Sequence, residues 1–494
     1  MKKNKNIIIT IAILIILCIA ATIKTIDHND TFYLIKLGEH ISKNGIDLLD
    51  HFSWIPNLNY TYPHWLYSVI TYFIYNNWNY TGIYISNILV YITLILSIYF
   101  IVYKYNKDNF LAFFVSCISI LVLRVFIVAR SQSISSILFL WEVYYINELI
   151  NTGKKKYILY LIIDSLLIAN IHGTTWIMFF ILFMPFFVSH IIYLLINKKK
   201  MKFRFNDKIS VEKIENIKLL LIAFGLSLLM GLFTPSRICY TYIFRTMLGN
   251  SQNYIQEHSP LVIIKTPIVI VILFLLYFVR GKIKLQDFFM LSGLFLMSFL
   301  SIRHLIFIFT IGFIYLASIL KNETESNGDY TFQILNRKIF GNKIASIIVV
   351  TISIIICGIC LYFNNSKEFI NKRDYPVDAV KFIKNNLPYQ NMRIYNNYDI
   401  GSYLLFNDIK VFIDSRCDLY FKEFGNSDIF QDQIDIVKRF NYKEIFDKYN
   451  IQYALLYNNE QLNHVMKRDS NFKPIYNDGY FSIYEREMEK QNEK

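Results

Sequence analysis

Charged residues are scarce in this chain, since only 18% of its 494 residues are Asp, Glu, Lys or Arg. A soluble domain carries about 25% charged residues, so the scarcity excludes an ordinary soluble globular protein. The chain is instead 54% hydrophobic, with a mean hydropathy of +0.34. Its apolar residues are gathered into runs of about 20 residues, the length that a helix needs to cross a bilayer. The composition therefore predicts an α-helical polytopic membrane protein.

Cysteine is also rare, and the six cysteines do not have the pattern of a disulfide framework. All except Cys417 lie within apolar runs or near the end of one. Cys357 and Cys360 have CxxC spacing, but they stand inside a hydrophobic helix, where packing explains them better than metal or redox chemistry. The sequence has no internal repeats. Its N-terminal segment has no clear cleavage site, so we interpret it as a retained first helix.

The net charge of +14 comes from lysines and arginines clustered in short links between apolar runs. Such clusters are typical of the cytoplasmic links of membrane proteins and of contact with anionic lipids. This placement excludes nucleic acid as the expected partner. Lys2, Lys3 and Lys5 precede the first apolar run and predict a cytoplasmic N-terminus.

The apolar runs predict about eleven transmembrane helices in the plasma membrane, with every lysine-rich short link on the cytoplasmic side. A shorter run at about 64–76 is too short to span and is expected at the interface. The eleven predicted segments are about 7–24, 81–103, 109–128, 132–150, 157–169, 175–196, 216–234, 262–279, 287–301, 305–319 and 344–363.

The alternation of these segments places the C-terminal region outside the cytoplasm. The stretches MRIYNN, KVFIDSR and IQYALLYNN predict short strands, and 376–387 and 428–448 predict amphipathic helices. FKPIYNDGYFSIYER predicts a hairpin with its turn at Asn477-Asp478-Gly479. We therefore expect a membrane domain at 1–363, with a long outer loop at 25–65, and a small extracytoplasmic α/β domain at 364–494.

The stretch Asp27–Leu66 follows the first apolar helix and is polar, acidic and aromatic. A loop of that length in a compact domain is either functional or disordered. Its content of Trp, Tyr, Phe, Ile and Leu argues against disorder. We therefore interpret it as an ordered loop at the outer membrane face.

Ionisable groups at membrane depth are costly, which makes them candidates for function. The predicted topology gathers several of them at the outer face from distant parts of the chain. The candidates for catalysis are Asp30 and Glu257. The candidates for substrate binding are Asp50, His64, Arg130, Gln132, Asn170, His172, His258, Arg303, Asp414 and Arg416.

This mixture of side chains suits transfer from a lipid-phosphate donor. A carboxylate can act as general base on an acceptor, and arginine grips phosphate with two parallel hydrogen bonds. Histidine and carboxylate together can hold a divalent cation, which stays an open alternative as a cofactor. An anionic leaving group would then be stabilised while the acceptor is deprotonated.

Structural explanations compete with these roles. Asp30 has the position of a helix N-cap. Asp50 can fix a turn before Phe52. His64 and its neighbour Trp65 can anchor the chain at the membrane interface.

Other candidates have similar alternatives. Arg130 and Arg303 can extend towards lipid headgroups. The stretch Asn170-Ile171-His172-Gly173 can be a helix end with glycine as the breaker. Glu257-His258 can be an exposed loop.

Two further groups of charged residues have structural explanations. Asp414 and Arg416 can form a buried ion pair within the C-terminal domain. Arg124, Glu142 and Asp164 lie within predicted helices, where an internal ion pair is the favoured interpretation.

The order of these features resembles that of the C-type (GT-C) glycosyltransferases. These are polytopic enzymes with a long first outer loop, a catalytic Asp near its start and often a C-terminal outer domain. More closely, the chain resembles a bacterial family of large glycosyltransferase-like membrane proteins. The stretches that carry this resemblance are Asp30…Gly38…Gly45…Asp50-His51-Phe52-Ser53, His64-Trp65-Leu66, Ala129-Arg130-Ser131-Gln132, Asn170-Ile171-His172-Gly173, Glu257-His258-Ser259-Pro260, Arg303, Asn397-Tyr398-Asp399-Ile400-Gly401-Ser402-Tyr403-Leu404 and Val411-Phe412-Ile413-Asp414-Ser415-Arg416.

The resemblance implies glycosyl transfer from a polyprenyl-phosphate carrier to an envelope acceptor on the outer face, with Asp30 as the base. Three positions depart from the pattern: Ser131 replaces an expected Pro, His258 an expected Trp, and Ser415 an expected Gly. The departure at His258 leaves open whether a metal is bound there. No sequon-reading motif is present, so an oligosaccharyltransferase in the strict sense is not expected.

Two other classes of function remain open. A flippase or transporter for lipid-linked sugars would carry polar residues along a path through the bilayer. The candidates here gather at one face, apart from Arg124, Glu142 and Asp164. A non-catalytic membrane scaffold in envelope biogenesis would use the C-terminal domain as a binding module.

Overall fold

The computed structural model describes residues 2–198, 208–240, 257, 259–262, 266–278, 283–326, 328, 330–422 and 427–487. This part of the chain is mostly helical and forms two compact units. The first unit comprises Met1–Ile23, Tyr84–Ile127 and Ser131–Ser366. The second comprises Lys24–Ile83, Val128–Arg130 and Lys367–Lys494. The predicted boundary between a membrane domain at 1–363 and an extracytoplasmic domain at 364–494 is defined relative to the membrane, and it stays a prediction.

The helices were expected from apolar runs, and most of them begin and end within a few residues of those runs. Short 3₁₀ and π segments connect some of them, at Gly173–Thr175, Leu229–Phe233, Ile302–His304 and Ile308–Gly312. The main helices described are α1 (Lys2–Ala21), α2 (Asp30–Asn44), α3 (Trp65–Asn106), α4 (Asn109–Leu123), α5 (Ser131–Thr152), α6 (Lys156–Ile171), α7 (Trp176–Ile181), α8 (Met184–Asn197), α9 (Ile217–Leu228), α10 (Pro267–Phe278), α11 (Leu285–Leu300), α12 (Phe313–Ser326), α13 (Thr331–Ile339), α14 (Lys343–Asn365), α15 (Val377–Asn386), α16 (Tyr398–Phe406), α17 (Ile429–Arg439), α18 (Tyr442–Tyr449) and α19 (Gln461–Met466).

The first unit is a bundle of apolar helices. In it α1 packs against α4 and α14, α5 against α6, and α8 against α11. Much of α14 is exposed although it is apolar, including Ile347 and Ile354, each more than half exposed. An apolar helix with an exposed apolar face is suited to contact with lipid tails. These features belong to a membrane protein.

Four of the described helical segments are long and apolar enough to cross a membrane, judged by length and composition. They are Trp65–Asn106, Gly173–Asn197, Ile302–Thr324 and Lys343–Asn365. The described apolar helices at Lys5–Ala21, Asn109–Leu123, Ile217–Phe233 and Leu285–Leu300 are shorter. The number of eleven spans therefore stays a prediction.

The predicted interfacial helix at about 64–76 and the predicted span at 81–103 form one helical segment, α3. Its regular geometry breaks only at Asn79, where φ is 51° and ψ is −150°. Asparagine tolerates a positive φ better than most residues, so it is suited to this break. The two units meet in sequence a few residues later, between Ile83 and Tyr84.

The second unit contains a four-stranded sheet of β3 (Ile394–Asn396), β4 (Tyr453–Tyr457), β5 (Phe472–Asn477) and β6 (Phe481–Arg486), ordered β3-β4-β6-β5. A separate pair in the first unit consists of β1 (Ile209–Ser210) and β2 (Ile283–Lys284). Strands β3 and β4 are parallel, and β6 is antiparallel to both of its neighbours. The predicted hairpin is confirmed, with Gly479 in its turn at a φ of 92°.

The prediction of a strand at KVFIDSR is wrong. Only Val411 forms a bridge, and its partner is Ser53 of the outer loop. The side chain of Asn396 replaces a neighbouring strand, because its amide accepts from Phe412 N–H at 2.9 Å and donates to Ile413 C=O at 2.7 Å. The segment KVFIDSR therefore contacts the outer loop through Val411 and does not extend the sheet, although its residues favour strands.

Candidate functional site

Asp30 begins α2 and is bound by an arginine from a distant part of the chain. Arg130 Nε lies 2.7 Å from Asp30 Oδ2, and the two side chains are 18% and 13% exposed. Asn29 occupies the N-cap position but its side chain makes no capping hydrogen bond, and Asp30 is the first residue of the helix, so the capping alternative for Asp30 stays open. An acidic side chain in the first turn is favoured by the helix dipole. Asp30 is therefore an oriented carboxylate that solvent or a ligand can reach.

His28 completes this cluster. Its Nε2 lies 2.9 Å from Arg130 Nη1, and its Nδ1 lies 3.7 Å from Asp30 Oδ2. A guanidinium can only donate, so Arg130 donates to Nε2 of His28. The backbone N of Asp30 lies 3.5 Å from Nδ1 on the other side of the ring. One arginine thus orients both a carboxylate and an imidazole.

The backbone places Arg130 against α2. Thr31 donates from Oγ1 to the carbonyl of Ala129 at 3.2 Å. Ala129 is buried in one cluster with Ile35 and Ile83. Arg130 therefore belongs to the second unit, although the chain on both sides of segment 128–130 belongs to the first.

A close approach also fixes the helix that carries Asp30. A Cβ atom added to Gly38 would lie 2.0 Å from the backbone oxygen of Ser68 in α3. Only glycine allows the two backbones to pack at this distance. The glycine noted after Asp30 in the sequence therefore allows α2 to pack against α3.

Arg416 is the centre of a second charged cluster in the same unit. It donates from Nε and Nη2 to the two oxygens of Asp414, at 2.9 and 2.6 Å. Its Nη1 contacts Asp50 Oδ1 at 2.5 Å, and the rings of Phe52 and Tyr60 lie 5.1 Å from its guanidinium carbon. The three charged side chains are at most 1% exposed.

This burial favours a structural role for Asp50, Asp414 and Arg416, and their predicted part in substrate binding stays a prediction. Their charged atoms are directed at one another and away from solvent, and Asp50 also accepts the backbone N–H of Ser53 at 2.9 Å. Removing one partner of a buried pair costs about 3–5 kcal/mol. We assign the three a structural role, which is to join the outer loop to the C-terminal segment.

His64 precedes the first residue of α3. Its carbonyl accepts the N–H of Ser68 at 2.9 Å, which begins the helix. Its side chain is half-buried. The described backbone contact is structural, and a substrate contact of the ring stays a prediction.

Three predicted residues of the first unit, Gln132, His172 and Arg303, come together through short contacts. Gln132 donates from Nε2 to the carbonyl of Arg303 at 3.3 Å. Ser135 Oγ lies 2.9 Å from His172 Nδ1 and donates to the Gln132 carbonyl at 3.1 Å. The sequence placed these residues only on the same face.

Glu257 lies near the same group. Its carbonyl accepts from Ser301 Oγ at 3.0 Å, two residues before Arg303. Asn170 is buried and bonds back to the Leu166 carbonyl at 2.9 Å, so the helix-end interpretation fits it. His258 lies outside the described residues.

The predicted internal ion pair of Arg124, Glu142 and Asp164 is wrong in the described structure. Arg124 is exposed just after α4 ends. Glu142 and Asp164 are 0% and 4% exposed. Both oxygens of Glu142 and Oδ2 of Asp164 are buried without a hydrogen-bond partner in the described part of the chain. The sequence could not show that the arginine side chain points away.

Sequence reasoning missed Glu460, which precedes α19. It accepts a short hydrogen bond from Asn397 Nδ2. Burial, and then the negative charge of Asp399, raise the pKa of Glu460 to about 7. An isolated Glu in a polar stretch gives no signal of this kind, because both its burial and its closeness to Asp399 result from tertiary packing.

Comparisons with solved structures extend over nearly the whole chain. A structure of the Archaeoglobus fulgidus oligosaccharyltransferase tethered to an acceptor peptide with the NVT sequon matches 91% of this chain and 68% of that chain, with a TM-score of 0.58 and 12% identity. The archaeal oligosaccharyltransferase AglB from the same organism, in complex with an inhibitory peptide and a dolichol-phosphate, matches 98% of this chain and 74% of that chain, with a TM-score of 0.56 and 12% identity. The chain has the fold of these archaeal enzymes. That fold is the GT-C fold.

No protein-family model and no curated protein matches the sequence. At 12% identity the likeness to the archaeal enzymes concerns the fold alone. The roles of individual side chains are therefore argued from the contacts in this chain.

Proposed function

We propose that the protein transfers a glycosyl group from a polyprenyl-phosphate-linked donor to an acceptor of the cell envelope, at the outer face of the plasma membrane. The observation that carries this proposal is the partly exposed pair of Asp30 and Arg130 at the first turn of α2, within a GT-C fold. The dolichol-phosphate in the archaeal AglB structure supports a lipid-phosphate donor.

In this proposal the ion pair is the resting state of the site. The guanidinium of Arg130 is the group that would turn to the donor phosphate, which it can bind with two parallel hydrogen bonds. That movement would release Asp30 to accept a proton from the acceptor. His28 lies beside both groups and would hold the guanidinium in position.

A divalent cation fits this resting geometry poorly. Arg130 is bound to the Asp30 oxygen that a metal would need, and a guanidinium repels a second cation. No step of the proposal therefore uses a metal. Glu257, Gln132, His172 and Arg303 remain proposed contributors, since they gather within the first unit.

The test replaces Asp30 with Asn in the full-length protein. We expect Asp30→Asn to lower glycosyl transfer at least 100-fold, because the proton acceptor is lost. The measurement is the envelope glycan content, by mass spectrometry, of cells that carry the variant in place of the endogenous copy.

Asp27→Asn is the matched control. It removes the same charge three residues away, from an exposed side chain, and should retain transfer. Normal glycan content with Asp30→Asn at equal protein level would contradict the proposal.

Transport of a lipid-linked sugar is a second candidate function, and Glu142 and Asp164 favour it. In the described helices both oxygens of Glu142 and Oδ2 of Asp164 are buried without a hydrogen-bond partner, and such carboxyl groups are expected where a protein moves protons or ions. Movement of labelled lipid in proteoliposomes without a glycosyl product would favour transport over transfer.

A further inference from the structure

Three side chains that can bind metal meet in the outer loop, close to the end of α2. His40 lies in the last turns of α2, and Asp47 and His51 follow the helix end at Gly45. One ring nitrogen of each histidine and a carboxylate oxygen of Asp47 lie within 4.8 Å of one another. The three belong to the second unit but are separate in sequence from Asp30 and Arg130.

The two histidines are held against each other. Their rings stack with centroids 4.3 Å apart, and Phe52 packs edge-on against His40. His51 Nε2 also lies 2.6 Å from Asp47 Oδ2.

The other oxygen of Asp47 is held by the protein. Oδ1 accepts the N–H of Leu49 and the hydroxyl of Tyr62, each at 3.1 Å. This leaves Oδ2 turned towards His51. Such supporting hydrogen bonds orient metal ligands in known sites.

One ring nitrogen of His40 has no hydrogen-bond partner among the described residues. Nε2 is buried and has no hydrogen-bond partner in the described part of the chain, whereas Nδ1 lies 3.2 Å from the amide of Asn44. The amide atom of Asn44 nearest Nδ1 is Nδ2, and a flip of this amide places its oxygen there to accept from Nδ1, which gives Nε2 a lone pair. A buried nitrogen without a partner costs about 1–3 kcal/mol, which coordination would recover.

We propose that His40, Asp47 and His51 bind a divalent transition-metal ion of the zinc type. Two imidazoles and one carboxylate are common Zn²⁺ ligands, at about 2.0–2.2 Å, with water in the fourth position. Tetrahedral ligands then stand roughly 3.4 Å apart, so small side-chain rotations suffice to close the site. A bound ion would join the end of α2 to the loop that Asp50 and Arg416 hold.

The test uses the full-length protein in detergent, purified without a histidine tag and treated with chelator. Titration with ZnCl₂ should show one tight site, and Co²⁺ should give the visible absorption of a tetrahedral complex. His40→Gln with His51→Gln should weaken binding at least 10-fold and abolish the Co²⁺ absorption.

Two controls make the result specific. His464→Gln, at an exposed histidine of the same unit, and Asp30→Asn should bind Zn²⁺ as the unmodified protein does. Zn²⁺ should also raise the Tm of the unmodified protein by several degrees, but not that of the double variant. Absence of a stoichiometric site, or equal binding by the double variant with an unchanged metal-free Tm, would overturn the proposal.

Discussion

Arg130 and Arg416 each bind an aspartate, but at different depths. Arg416 is 1% exposed, and both of its carboxylate partners are equally buried. Arg130 and its partner Asp30 are partly exposed. A fully desolvated pair resists exchange of partners, whereas a pair at a surface can open at a small cost. This difference separates the structural cluster from the pair proposed to act on substrate.

Glu460 gives the second unit a predicted dependence on pH. Its raised pKa of about 7 means that the folded state favours the protonated carboxyl. The stability from this proton is fully present below pH 4.5 and is lost as the pH rises through about 7. Glu460→Gln keeps the hydrogen-bonding group without the charge, so it should raise the Tm at pH 8 by about 2–4 °C.

Thermal unfolding of the full chain at pH 5 and pH 8 measures this effect. The gain should be much smaller at pH 5, where the native carboxyl is protonated. Glu487→Gln, which removes the charge of an exposed side chain, serves as control and should show no such difference. Equal Tm changes for Glu460→Gln at both pH values would refute the assignment.

Among the secondary-structure elements, α16 packs against KVFIDSR, the segment that the sequence predicted to be a strand. A Cβ atom added to Gly401 would lie 2.0 Å from the Ile413 carbonyl oxygen and 2.8 Å from the Asp414 Cα. Gly401→Ala should therefore force this helix away from the buried charged cluster and destabilise the protein by about 1–3 kcal/mol.

The change is measured by thermal unfolding, together with the rate at which protease cuts the C-terminal segment. Gly358→Ala in α14 is the matched control, since its Cβ would meet nothing within 4 Å. An unchanged Tm for Gly401→Ala would show that the packing there adapts more freely than the contacts indicate.

Sequence patterns predicted the helices well, because apolar runs of α1, α5 and α14 carry their own signal. They also placed Asp30 and Arg130 among the candidates. They failed at KVFIDSR, because a side-chain amide of Asn396 competes there with strand pairing. Such a competition depends on a tertiary contact, which local periodicity does not contain.

At the scale of the whole molecule, the sequence predicts a cytoplasmic N-terminus and an outer C-terminal region. The fold is that of a membrane protein, and this orientation is a prediction to be tested. A phosphatase reporter that is active only outside the cytoplasm should be active when fused after Lys494 and inactive when fused after Lys154.

The fusions are compared in intact cells at equal protein levels. A cytoplasmic fluorescent reporter at the same two positions should give the opposite pattern. Activity of the phosphatase after Lys154 would reverse the predicted topology and remove Asp30 from the outer face.

The second unit combines segments from both ends of the chain, and this affects how it folds during translation. Trp54 in the outer loop donates to the carbonyl of Ile394 and stacks on Phe412, more than 300 residues later. During synthesis, residues 24–83 leave the ribosome long before their partners exist. This unit therefore completes its folding only after translation of the C-terminal segment, and a prematurely stopped chain would carry an aromatic loop with nothing to cover it.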